Sequence, residues 1–187
     1  MKIKTFIFLL LSSMLTGCVV AVVAGAASSL VVYDKRTVAM IEKDARIFHL
    51  VHTNLIKDPR FKDSRIVVSS FNEVVLLVGQ TPVASLRAVA ERVAQQTPNV
   101  HRVYNEITID YPLPISQQSK DTWITGQVRS KMLSKKGLES GSIRVITENS
   151  VVYLMGIATA EQANLSVSVA RQVKGVRKVV KVFQYIR

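Results

Sequence analysis

Apolar positions along this chain recur with two different periods, and the alternation between them divides it into elements. Ile47, Val51 and Leu55 stand at i, i+4 and i+8, the spacing of one face of an α-helix. Two β-rich runs follow, over residues 66–68 and 74–79. Phe71-Asn72-Glu73 separates them, and turn residues between two such runs predict a hairpin. Gly79 ends the second run, where a missing side chain allows close backbone approach. A second helix is expected over 83–96, with Ala90 and Ala94 forming a small-residue face suited to packing on a sheet, and a last strand over 102–110.

The same order then repeats. A shift of 77 residues carries Asp44, Ile47, Val51 and Leu55 onto Asp121, Ile124, Val128 and Met132, and residues 74–79 onto 151–156. Glu148-Asn149-Ser150 takes the place of the first turn, and Gly156 that of Gly79. The second helix of this copy is expected over 160–173, with Ala163 and Ala170 on its small face, and the last strand over 177–185. Beyond the second helix the shift becomes 76, matching Val100 and Val103 to Val176 and Val179, so the first copy has one extra residue, expected just past that helix. The fold class is therefore α+β, two tandem α-β-β-α-β domains, each a small three-stranded sheet packed with two helices. The first is expected over 42–110 and the second over 119–187. A short linker over 111–118 is stiffened by Pro112 and Pro114, which extend neither a helix nor a central strand.

The N-terminus follows another pattern. Met1-Lys2-Ile3-Lys4 is basic, residues 6–15 are almost wholly apolar, and Leu15-Thr16-Gly17-Cys18 closes the run with small residues, the order of a secretory signal. The tetrapeptide resembles a lipobox. The resemblance implies a signal peptide over 1–17, a thioether lipid on Cys18, acylation of the new amine by a fatty acid such as palmitate, and a tether over 18–41. Val19 stands where an inner-membrane retention signal would place Asp, which implies the outer membrane. The alternative is an unmodified cysteine in a signal anchor. The run after Cys18, however, is rich in Val, Ala, Gly and Ser and by itself too short for the roughly 20 residues a span requires. Cys18 is the only cysteine, so no disulfide forms within the chain.

Charge separates the two copies. Residues 42–110 hold nine Lys/Arg against eight Asp/Glu, and residues 119–187 hold twelve against four, so the second copy carries most of the net +12. Such an excess points to an anionic partner. Outside the cytoplasm that means phospholipid headgroups or lipopolysaccharide rather than nucleic acid.

Catalytic chemistry finds little support. His49 and His52 share a helix face, but their counterparts are Gly126 and Arg129, and no further ligands are positioned to complete a metal site. Neither a nucleophile elbow nor a phosphate-binding loop is present, and no cofactor is expected. The helix from Asp121 to about Lys135 is more informative. At 100° per residue, Ile124, Val128 and Met132 define its core face and Trp123 points roughly 140° away. Trp123 aligns with Arg46, so the fold itself has no need of an aromatic there. Gly126, Gln127, Ser130 and Ser134 surround it, with Lys131 and Leu133 flanking and Arg129, Lys135 and Lys136 beyond. A tryptophan among basic residues suits a bilayer interface, since the indole joins an apolar body to a polar N–H. The lipid-binding candidates are accordingly Trp123, Arg129, Ser130, Lys131, Leu133 and Lys135. The competing reading is that Trp123 plugs the junction between the domains. Residues 171–178 form a second basic patch.

The strand ending in glycine, the small-residue helix and Gly175-Val176-Arg177-Lys178-Val179 at the start of the last strand resemble the BON domain. Two such copies behind a lipobox resemble the dual-BON outer-membrane lipoprotein family, as do residues 75–80, 103–107 and 121–125. The resemblance implies binding of anionic phospholipid at the periplasmic face of the outer membrane, without catalysis, and support of envelope integrity and cell division. The rival reading is a protein-interaction adaptor for outer-membrane protein assembly or division. Binding of peptidoglycan or polysaccharide would call for clustered aromatics, whereas Trp123 is the sole tryptophan.

Overall fold

The structure, a computed structural model, describes Asp34 and residues 36–186. The signal segment, Cys18 and most of the expected tether lie outside the described residues. The first repeat runs α1 (Val38–Lys57), β1 (Arg65–Phe71), β2 (Val74–Thr81), α2 (Ala84–Gln95), β3 (Arg102–Ile109). The second runs α3 (Ile115–Ser134), β4 (Ile143–Glu148), β5 (Val151–Ala158), α4 (Ala160–Arg171), β6 (Lys178–Tyr185). In each sheet the middle strand pairs antiparallel with the hairpin strand before it and parallel with the last strand. The order α-β-β-α-β expected from the repeat is the order observed.

One buried carboxylate per repeat ties the first helix to the hairpin. Asn72 and Glu73, like Asn149 and Ser150, have positive φ at both central turn positions, the geometry of a tight type I′ hairpin. Asp44 accepts hydrogen bonds from the backbone N–H groups of Asn72 and Glu73 at 2.6 and 2.9 Å, and from Ser70 Oγ at 3.0 Å. Asp121 accepts from Asn149 and Ser150 at 2.7 and 2.8 Å, and from Gln117 Nε2 at 3.0 Å. Both carboxylates are buried, so the amides they satisfy have no easy substitute in water.

Gly79 and Gly156 do sit where backbones approach closely. A Cβ on either would lie 2.0 or 2.1 Å from a carbonyl oxygen, that of Arg65 at the start of β1 or that of Ser142 just before β4. Neither glycine ends its strand, however. Pairing continues through Thr81 and Ala158, because the parallel partner strand supplies hydrogen bonds past the glycine.

The helix faces pack as the periodicity requires. Ile47, Val51, Leu55, Val75, Leu77, Ala90 and Ala94 form the first core. Ile124, Val128, Met132, Val152, Leu154, Ala163 and Ala170 belong to the second. A third cluster was not anticipated. The opposite faces of the two sheets pack on each other through Phe71, Val74, Leu76, Val78, Tyr153, Met155 and Val182. Successive β2 side chains alternate between helix core and sheet seam, so the whole strand is buried. The layers run helices, sheet, sheet, helices. All three clusters lie within residues 47–183, so a chain begun at Asp34 keeps every residue of them.

Two boundaries differ from expectation. Helix α3 opens at Ile115, so the last four residues read as linker are helical, and Pro114 serves as its N-cap residue. A proline just outside a helix start costs nothing, since its missing N–H would have no helical partner. The extra residue of the first repeat lies before its second helix rather than after it. Pro82 and Val83 connect β2 to α2, whereas Thr159 alone connects β5 to α4 and caps it by accepting from Gln162 N at 3.2 Å. Likewise α1 begins at Val38, within the segment read as tether.

Candidate functional site

Helix α3 carries the candidate residues. Its core stripe is Ile124, Val128 and Met132, as expected, with Asp121 buried beneath the turn it caps. Trp123 is 52% exposed and belongs to none of the three packed clusters, so it does not plug the junction between the domains. The sheets make that junction. Gly126, one turn on, has open space where a Cβ would stand, and the indole's neighbourhood is uncrowded.

The structure distributes the other candidates around the helix. Arg129, Leu133, Ser130 and Trp123 share a strip spanning about 120° of its circumference, and all four are exposed. Lys131 lies on the opposite edge, where its Nζ approaches Gln172 O at 3.4 Å. Lys135 is the C-cap residue with extended backbone, so it leaves the helix altogether. The second basic patch adjoins the Lys131 edge. Arg171, Val176, Arg177, Lys178 and Val179 line a hollow of about 430 Å³ there.

On the Arg129 edge lies a cleft of about 330 Å³ that the sequence did not announce. Arg129, Met132 and Leu133 form one wall, Ile143, Arg144 and Val145 of β4 another, and Phe71 of the first repeat with Asp34 and Arg36, which precede α1, closes it. Arg36 is held firmly. It donates to Asp34 Oδ2 at 2.6 Å and to Asp44 Oδ2 at 2.7 Å, and its guanidinium lies 4.0 Å from the Phe71 ring centroid. Burial favours the neutral form of Asp34, yet hydrogen bonds and charge from Arg36 outweigh it and hold the carboxyl below its ordinary value. Arg144 also lies over Phe71, at 5.7 Å, and donates to Ser70 O at 3.0 Å. Burial, then the nearby Arg36 charge, pushes the Arg144 guanidinium below its ordinary pKa. Arg144 aligns with Val67 of the first repeat, an apolar seam residue. That exchange of Val for Arg was the one signal in the sequence that could have marked the site.

The seam near β5 is polar at its rim. Arg65 meets Glu148 at 2.7 Å and Gln80 Nε2 donates to the same carboxylate at 2.8 Å. Asn72 Nδ2 donates to Gln184 Oε1 at 2.7 Å, and Gln184 Nε2 returns a bond to Asn72 O at 2.9 Å. Burial raises the Tyr153 phenol to about 12, helped by Glu106 and Glu148. His49 and His52 remain outside any such arrangement. His52 stacks on Phe48 at 5.4 Å, and no group of three or more potential metal ligands exists among the described residues.

Comparison with known proteins places these features in a family. The BON domain model matches residues 43–111 and again 120–187. The chain is 37% identical to the outer membrane lipoprotein DolP of Haemophilus influenzae over 174 residues, 92% of this chain and 90% of that one. It is 37% identical over 155 residues to a 21 kDa hemolysin of Actinobacillus pleuropneumoniae, covering 82% of this chain and 80% of that one. An uncharacterized protein of Anaplasma centrale is 32% identical over 146 residues, 77% of this chain and 93% of its own length. With two matching domains, paired sheets and near full-length similarity, the chain belongs to the BON-domain family as a dual-BON protein of the DolP type.

Proposed function

We propose that this chain is a non-enzymatic lipoprotein held by a lipid on Cys18 at the periplasmic face of the outer membrane, where its second domain binds anionic phospholipid. In that role it supports envelope integrity and cell division. The observation that carries this reading is the half-exposed Trp123 on a helix whose two edges bear Arg129 and Lys131. No helix among the described residues is long and apolar enough to cross a membrane. Each basic residue near an anionic surface contributes about 1 kcal/mol. A few of them with one tryptophan give weak, reversible docking, which a covalent lipid makes persistent by keeping the helix close to the surface.

The test is cosedimentation of a fragment starting at Asp34 with vesicles of phosphatidylcholine, with and without phosphatidylglycerol, across a salt series. Binding only to the anionic vesicles is expected, weakening as salt screens exposed charges beyond about 8 Å at physiological ionic strength. Equal binding to both vesicles, or none to either, defeats the reading.

One feature favours the adaptor reading for the first domain. Val38, Ile41, Phe48 and Ile56 of α1 are exposed apolar residues on one strip. Phe48→Asp should leave vesicle binding intact, and its effect on crosslinked partners in intact cells reports whether a protein covers that strip.

A further inference from the structure

We propose that the cleft between α3 and the first domain holds the phosphate headgroup of one anionic phospholipid, making it a specific receptor that adjoins the strip carrying Trp123 and shares Arg129 and Leu133 with it. The inference rests on the reading that α3 faces an anionic membrane, and adds a specific receptor to it. The cleft has apolar and charged walls. Phe71, Met132, Leu133, Ile143 and Val145 are apolar, Arg129 and Arg144 bring guanidinium groups to the same hollow, and the one carboxylate in its lining, Asp34, is paired with Arg36.

The two arginines differ from Arg36, which already satisfies two carboxylates. Among the described residues no carboxylate forms an ion pair with Arg144 or Arg129. Arg144 uses one nitrogen, Nη1, on Ser70 O and more weakly on Ser69 Oγ. Arg129 uses Nη2 on Val145 O. A guanidinium has five N–H donors, so each retains donors for an incoming oxyanion. Bringing two such cations into a partly enclosed hollow is costly in isolation, as the lowered Arg144 pKa records. A phosphate diester relieves that cost with paired, charge-assisted hydrogen bonds. A purely inorganic anion would leave the apolar walls unused. A neutral headgroup would leave the arginines without an opposite net charge. At about 330 Å³ the cleft is near the lower bound of small-ligand pockets, so it admits a headgroup and the first methylenes, while the remaining chains stay in the membrane. Leu133, exposed on the strip that also carries Trp123, is where those chains would leave the protein.

The experiment uses the fragment starting at Asp34 and dihexanoyl phosphatidylglycerol below its micelle concentration, followed by amide and arginine side-chain NMR shifts. Saturable one-to-one shifts at Gly141, Arg144 and Val145 are expected. Dihexanoyl phosphatidylcholine and inorganic phosphate should bind at least tenfold more weakly. Arg144→Gln should weaken phosphatidylglycerol binding at least tenfold. Arg129→Gln, at an exposed position, does the same to a smaller degree and keeps the test sound if the Arg144 variant loses its fold. Trp123→Ala should weaken vesicle binding yet keep the monomer shifts. Phosphate or phosphatidylcholine binding as well as phosphatidylglycerol overturns the proposal, as does an acidic peptide that outcompetes the lipid at the same residues. So does parent-like binding by Arg129→Gln. Vesicle binding without monomer shifts sinks this site and spares the membrane reading, whereas shifts without vesicle binding do the reverse.

Discussion

Replacing Trp123 with alanine separates membrane contact from packing. The indole is 52% exposed. Taking about 250 Å² for the full side chain, about 130 Å² of it faces outward. Complete transfer of that area to an apolar phase at about 25 cal/mol per Å² is worth about 3 kcal/mol. An interfacial indole keeps its N–H among headgroups and buries only part of its body, so about 1–2 kcal/mol is expected. That is a loss of about five- to thirtyfold in affinity for vesicles containing phosphatidylglycerol. Stability should change by about 0.5 kcal/mol or less, as for other surface positions, because Trp123 joins none of the packed clusters. Cosedimentation gives the affinity and a melting curve gives the stability. Arg46→Ala, at the matching place in the first domain, is the control. Arg46 is exposed and its bond to Glu42 at 3.3 Å is an ordinary surface pair of little worth. A folded Trp123→Ala fragment that binds anionic vesicles like the parent refutes the assignment of the helix, and residues 171–178 become the next surface to mutate. A fragment that melts far lower refutes the claim that the indole is free of packing.

Other consequences follow from the fold. Asp121→Ala strands the amides of Asn149 and Ser150, and should cost about 3 kcal/mol, seen as a lowered melting temperature; an unchanged melt would mean the turn holds without its carboxylate. Gly156→Ala places a Cβ 2.1 Å from Ser142 O and should destabilise the second domain in denaturant titrations. Gly126→Ala meets nothing within 4 Å, and should instead stabilise by up to about 1 kcal/mol. The Tyr153 phenol titrates near 12 rather than 10.0, so its neutral form favours the folded state below pH 10 and that contribution is lost as pH rises toward 12. Solvent screening keeps the loss below the roughly 3 kcal/mol that two full pKa units would give, and Tyr153→Phe should flatten the stability profile in that window. Cys18→Ser should leave the protein exported but uncleaved before residue 18 and without lipid, as mass spectrometry of the membrane fraction would reveal.

Local periodicity was enough to read each repeat. Ile47, Val51 and Leu55 declared a helix face because side chains four apart stack on one side, and their counterparts at 124, 128 and 132 repeated the message. The glycines announced close backbone approach, since a β-carbon cannot share space with a carbonyl oxygen. The strip carrying Trp123 was legible for the same reason, because helical angles follow from residue number alone. Lys135 misled because a helix end is set by backbone caps rather than by the apolar period, and the helix stopped one residue before it.

The duplication, the element order, the core face of each helix and the outward position of Trp123 were thus legible in the residue pattern. All of these depend on contacts within one repeat or on one helix. Tertiary structure alone decided that the two sheets pack face to face. The continuous apolar run of β2 fits burial on both faces but names no partner. That packing brings Phe71 of the first repeat, with Arg36 just before α1, beside Arg129 and Arg144 of the second, and so makes the cleft. Residues so far apart in the chain meet only because two separately formed surfaces exclude water together, and no local period records which surfaces those will be.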